Sequence, residues 1–99
     1  MSPRPKKPRH CDCPHRPTGL VMKPAGVPTR SLGKTVLEID ELEALRLCDS
    51  EGLSQAEAGT RMGVSRGTVQ RLVTSGRRKM VEAIIECNAL VIETDEDLA

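Results

Sequence analysis

Ninety-nine residues suffice for one small domain with tails and are too few for two full domains. The chain has no Phe, Tyr or Trp, so its core must be built from Leu, Val, Ile, Met and Ala. That absence also weighs against single-strand or RNA recognition by base stacking. The net charge of +1 hides four blocks: +7 over residues 1–34, −6 over 35–59, +6 over 60–80 and −6 over 81–99. Two basic blocks divided by an acidic one suggest surfaces directed at a polyanion.

No apolar run approaches the ~20 residues of a membrane span. The basic, proline-rich N-terminus has no apolar stretch behind it and does not read as a secretory signal. A soluble, cytoplasmic protein without membrane contact is expected.

Residues 1–34 read as a basic arm and loop, because proline at this density breaks regular helix. In "RPKKPR", Arg4, Lys6, Lys7 and Arg9 alternate with proline on an extended, thin backbone. Such an arm suits the minor groove of duplex DNA; the alternative is a disordered tail that attracts DNA non-specifically. Beside it, "HCDCPH" offers His10, Cys11, Cys13 and His15, residue types that zinc favours. The Cys-x-Cys spacing is too tight for one local tetrahedron, so a zinc or other metal site would need a second chain. No cofactor is otherwise expected.

Residues 35–93 read as the structured domain. Thr35 to Ile39 is β-branched and follows Gly33, which predicts a short strand, and Ala89 to Glu93 is its expected antiparallel partner. Between them three helices have legible ends. The first is expected to start at Asp40, as N-cap of a capping box with Glu43, and to stop at Gly52. Its apolar stripe is Leu42, Leu45 and Cys48, with Leu47 flanking. The second is capped by Ser54 with Glu57 and ends near Met62 at Gly63. The third is capped by Ser65 and carries Val69, Leu72, Val73, Met80 and Ile84 at helical spacing towards Cys87, with Gly67 and Gly76 as weak points. Residues 94–99 read as an acidic tail.

The spacing from Gln55 to Leu72 meets the demands of a helix-turn-helix. Ala58 and Gly59 are small where a second helix would press, Gly63 tolerates positive φ in the turn, and Val64, Val69 and Leu72 face inward. An ordinary helical hairpin is the competing reading. The residues 60–80 hold six bases and no acid, which favours DNA. In the third helix Ser65, Arg66, Thr68, Gln70 and Arg71 occupy the first turns and become the candidate base contacts, with Thr74 also outward. Gln55, Arg77, Arg78 and Lys79 become candidate phosphate contacts.

The stretch "EALRLCDSEGLSQAEAGTRMGVSRGTVQRLVTSGRRKM" resembles the helix-turn-helix of sigma-factor region four and of related response-regulator effector domains. More widely, "RPKKPR", "KPAGVP", "IDELEALRL", "GLSQAEAGTRMGVSRGTVQR" and "RRKMVEA" resemble a small prokaryotic family of predicted DNA-binding proteins whose cellular role is uncharacterised. The resemblance spans most of residues 3–92. It implies a mainly α, sigma region-four-like fold and sequence-directed binding to double-stranded DNA. The chain departs from the expected pattern at Gly67 and Gly76, and at Met22, where an aromatic would precede Lys23.

The leading expectation is therefore a transcriptional regulator, acting as a homodimer because a lone helix-turn-helix buries little surface. The alternatives are a metal- or redox-responsive sensor gated by the Cys/His cluster, and an adaptor that contacts RNA polymerase or another protein through the acidic first helix. An enzyme is not expected: the chain has neither a phosphate loop nor a paired-carboxylate motif.

Overall fold

The computed structural model describes residues 21–93. The chain begins with β1 (Val21–Met22) and a 3-10 turn at Thr29–Ser31, then forms β2 (Lys34–Glu38) and α1 (Ile39–Leu45). A π-helical turn (Arg46–Ser50) leads to α2 (Gln55–Met62), α3 (Arg66–Ile85) and β3 (Ala89–Glu93).

The expected strands pair, but in parallel rather than antiparallel register, from Lys34 opposite Ala89 to Glu38 opposite Glu93. The reason lies in the path between them. The helices carry the chain away from the end of β2 and α3 returns it to the start, where Ala89 N–H donates to the Gly33 carbonyl (2.8 Å). The second strand therefore sets off in the same direction as the first, as in any helical crossover. β1 lies on the other side of β3, antiparallel, with Val21 opposite Val91. This places β3 in the centre of a three-stranded sheet. Its run ALVIE suits that place, since Ala89, Leu90 and Ile92 are all buried.

The first helix starts earlier than its sequence suggests. Glu38, not Asp40, is the N-cap, and the reciprocal partner is Glu41, whose Oε1 accepts the Glu38 N–H at 2.9 Å. Both Asp40 and Glu43 lie inside the helix and are buried, and Glu43 binds the Arg46 guanidinium at 2.8 and 3.0 Å. Two overlapping acidic tetrads fit the capping pattern here, and the strand immediately before α1 selects the earlier one. The π-helical turn then alters the apolar stripe. Its extra residue per turn carries Leu47 into full burial, while Cys48 is half-buried. Gly52, at φ +75°, ends the helical run as expected.

Two apolar clusters result. Leu37, Ile39, Ala83, Leu90 and Ile92 join the sheet to the C-terminal part of α3. Ala44, Leu45, Leu47, Ala58, Met62, Val69 and Val73 join the helices. Met80 and Ile84, expected in the core, are instead 40% and 76% exposed. The inward row of α3 is Val69, Val73, Gly76 and Ala83. Gly76 is not a weak point but a crossing point: a Cβ there would lie 2.8 Å from Leu45 Cδ1. A larger residue there would require the Leu45 side chain to shift within the core.

Candidate nucleic-acid interface

The elements that position the basic block are built by local rules. Ser54 Oγ accepts the Glu57 N–H at 3.0 Å, and Glu57 Oε1 accepts the Ser54 N–H at 2.9 Å, so the expected capping box opens α2. At the other end Gly63 takes the left-handed conformation, φ 71°. Val64 N–H then donates to the Gly59 carbonyl at 2.9 Å, folding the turn back onto α2. Gly59 and Ala58 are buried where that turn presses. A Cβ on Gly59 would lie 2.7 Å from the Val64 carbonyl oxygen, so the small residue is a steric requirement. Ser65 Oγ accepts the Thr68 N–H at 3.1 Å and starts α3.

On α3 the candidate residues fall into three rows. Gly67, Arg71, Thr74 and Arg78 share one row by their spacing of four, three and four, and its three side chains are exposed. Arg66, Gln70 and Arg77 form a neighbouring exposed row. Thr68, Ser75 and Lys79 lie on the opposite flank and are half-buried.

That flank does structural work. Thr68 Oγ1 lies 3.0 Å from Ser65 Oγ and accepts a hydrogen bond from Arg71 Nη2 at 3.2 Å, which orients the guanidinium. Lys79 Nζ donates to Glu41 Oε1 at 2.7 Å, and Ser75 Oγ donates to Glu41 Oε2 at 2.5 Å. Burial of Glu41 pushes its carboxyl pKa up, but hydrogen bonds from Lys79, Ser75 and the Glu38 N–H outweigh this and hold it below the usual value. Lys79 is thus committed to α1.

Arg77 is also engaged, by Asp49 on the π-helical turn, at 2.6 and 3.1 Å. That hydrogen-bonded pair lowers the Asp49 pKa and raises that of Arg77. Both side chains remain about half exposed, so the pair can exchange with another anion. Arg78 has a 4.0 Å contact with Glu82 and is otherwise directed to solvent. Gln55 is half-buried in the first turn of α2, beside the Glu57 carboxylate, whose pKa its cap hydrogen bonds lower. Arg66, Gln70 and Arg71, with Thr74 and Arg78, are the polar groups that α3 brings together on its outer surface. Ser65, Thr68, Lys79 and Arg77 are partnered from within.

Sequence reasoning missed the partners, Glu41 and Asp49. Their long-range contacts leave no local signal, although an acidic block ahead of a basic one is the pattern such pairs produce. The arm residues Arg4, Lys6, Lys7 and Arg9, and the cluster His10, Cys11, Cys13 and His15, lie outside the described residues. Among the described residues no three His, Cys, Asp or Glu side chains converge on a point that could hold a metal. Burial raises the Cys48 thiol pKa, which keeps it protonated at neutral pH.

The family described as "Protein of unknown function DUF134" matches this chain over residues 1–98. The chain belongs to that family. The Vibrio relatives are of similar length, whereas the chain spans only about half to two thirds of the length of several others. A UPF0251 protein of Vibrio cholerae serotype O1 is 46% identical over 90 residues, covering 91% of this chain and 90% of the relative. A UPF0251 protein of Prosthecochloris aestuarii is 51% identical over 71 residues, 72% of this chain and 46% of the relative. One from Halothermothrix orenii is 44% identical over 90 residues, 91% and 65% respectively. No solved structure matches the chain. Among the described residues, no helix of this family member is long and apolar enough to cross a membrane.

Proposed function

We propose that the chain binds double-stranded DNA in a sequence-directed way and acts as a transcriptional regulator. In this reading α2, the turn from Gly63 to Ser65 and the first half of α3 work as a sigma region-four-like helix-turn-helix. The observation that carries it is the outer surface of α3, where Arg66, Gln70, Arg71, Thr74 and Arg78 are displayed without an intervening acid on a helix whose inner side is locked by Val69, Val73 and Gly76.

The chemistry fits the major groove, which admits an α-helix and presents acceptors that arginine and glutamine can read. Arg66 and Arg71 suit guanine N7 and O6, and Gln70 suits adenine. Arg71 arrives already oriented by Thr68, which reduces the entropy lost on contact. Gly67 supports close approach, because it adds no side chain between Ser65 and the Arg71 guanidinium, which a Cβ there would meet at 3.9 and 3.7 Å. Arg78 is better placed for phosphate than Lys79, whose charge is spent on Glu41. Arg77 can reach phosphate by exchanging Asp49 for it. Gln55 contributes through its amide, since Glu57 weakens the pull of the α2 N-terminus on an anion.

The reading is tested by presenting the full chain with a random-sequence duplex pool and sequencing what it retains. Enrichment of one motif, lost when Arg66 and Arg71 are changed to alanine, is the expected outcome. Retention without any enriched motif would reduce the function to non-specific attraction, and no retention at all would overturn it.

A further inference from the structure

Farther along α3 the same exposed side changes chemistry, from cationic and polar to apolar. Val81, Ile84 and Ile85 are 54%, 76% and 72% exposed, and Met80 is 40% exposed. On the Met80 and Ile84 side, Val21 and Met22 on β1 face it across a groove of about 750 Å³ floored by Ala83 and Leu90. Contiguous apolar patches of this kind on a small domain mark association surfaces. Nothing among the described residues covers this one.

We propose that a second copy of this chain covers the Val81 and Ile85 part of it, with the C-terminal halves of the two α3 helices packed antiparallel about a two-fold axis beside Val81. The charge pattern singles out this occupant. Arg78 stands three residues before Val81 and Glu82 one residue after it, on the same flank, 4.0 Å apart, with side chains 67% and 54% exposed. In a two-fold pair each residue that meets another is met in return. Antiparallel helices crossing at Val81 therefore bring each copy's Arg78 alongside the other's Glu82, and two weak intrahelical contacts become a closed ring of alternating charge over an apolar floor of Val81 and Ile85. A uniformly acidic or basic partner would meet one member of each pair with like charge. The overlap runs from about Arg77 to Ile85; it leaves Arg66, Gln70 and Arg71 outside it and engages Arg78, which then serves the partner's Glu82 in place of phosphate. The inference does not rest on the DNA reading, and its test contains no nucleic acid.

The test is sedimentation equilibrium of the full chain, with circular dichroism as the check that each variant is folded. The wild type should be dimeric at roughly 100 µM, a concentration that populates even a weak interface of this limited overlap. Ile85→Asp puts a charge into the apolar floor near the end of the overlap and should weaken the dimer severalfold while the exposed site keeps its helicity. Arg78→Glu and Glu82→Arg should each weaken it severalfold, and the double variant Arg78→Glu/Glu82→Arg should regain most of the loss. A monomeric wild type would overturn the proposal. So would an Ile85→Asp dimer as tight as wild type, or a double variant no tighter than the single ones.

Discussion

Alanine at Gly59 tests the packing that holds the turn against α2. Its methyl carbon would stand 2.7 Å from the Val64 carbonyl oxygen and 3.4 Å from both the Ser65 carbonyl carbon and the Arg66 nitrogen. All three are backbone atoms in the turn that fixes where α3 begins, so no rotamer change can relieve the contact. Helix propensity alone favours alanine by roughly 1 kcal/mol. Overpacking of a tight contact costs about 1–3 kcal/mol, towards the upper end where backbone must move. The expected balance is a loss of about 1–2 kcal/mol, or a Tm lower by roughly 4–16 °C for a domain of this size. Gly67 is the control. Its nearest neighbours to an added Cβ are side-chain atoms 3.7 and 3.9 Å away, at ordinary contact distance. Gly67→Ala should therefore raise Tm, by about 2–8 °C for the ~0.5–1 kcal/mol of propensity gained. Thermal melts by circular dichroism of the two variants and the wild type decide the matter. A Gly59→Ala protein that melts at or above the wild-type temperature would refute the steric argument.

Further outcomes follow from the same geometry. Because the folded Glu41 pKa lies below its unfolded value of about 4.5, its contribution to stability is present above that value and lost as pH falls through the lower folded one. Wild-type Tm should accordingly fall more steeply below pH 4.5 than that of Glu41→Gln, and parallel profiles would count against the Glu41–Lys79–Ser75 network. Ser65→Ala removes the cap on Thr68 N–H and should cost about 1 kcal/mol in chemical denaturation, with no change in m-value. Asp49→Asn releases Arg77, so duplex binding should tighten and its logarithmic salt slope steepen by up to about 0.9; an unchanged slope would mean that Arg77 never reaches phosphate.

What the sequence makes legible is what short-range rules decide. Ser54 with Glu57, Gly63 and Ser65 are each read from neighbours within four residues, and the structure places all of them as read. The start of α1 is misplaced by the same local rules: Asp40 is the better N-cap residue, yet the preceding strand ends at Glu38, which takes the cap with Glu41. Strand direction is not local at all. It depends on where α3 delivers the chain, which no pattern in Ala89–Glu93 encodes. Gly76 reads as a defect until Leu45 is seen against it. Met80 and Ile84 keep helical spacing with Val69 and Val73, yet in the second half of α3 the line that meets the sheet runs through Gly76 and Ala83, so the same spacing leads to the exposed side. Of the candidate interface, the identity of the exposed residues was legible and their partners were not. Thr68 beneath Arg71, Glu41 beneath Lys79 and Asp49 beside Arg77 sort a uniform run of cations into free and committed ones.

The most direct measurement of the central claim is the affinity of the full chain for a selected duplex against salt concentration, beside the variant Arg66→Ala/Arg71→Ala. The account predicts a preference for the selected sequence that shrinks by about 1–3 kcal/mol for each base contact removed, with general attraction to DNA largely kept. Equal affinity and equal preference in the two proteins would contradict it.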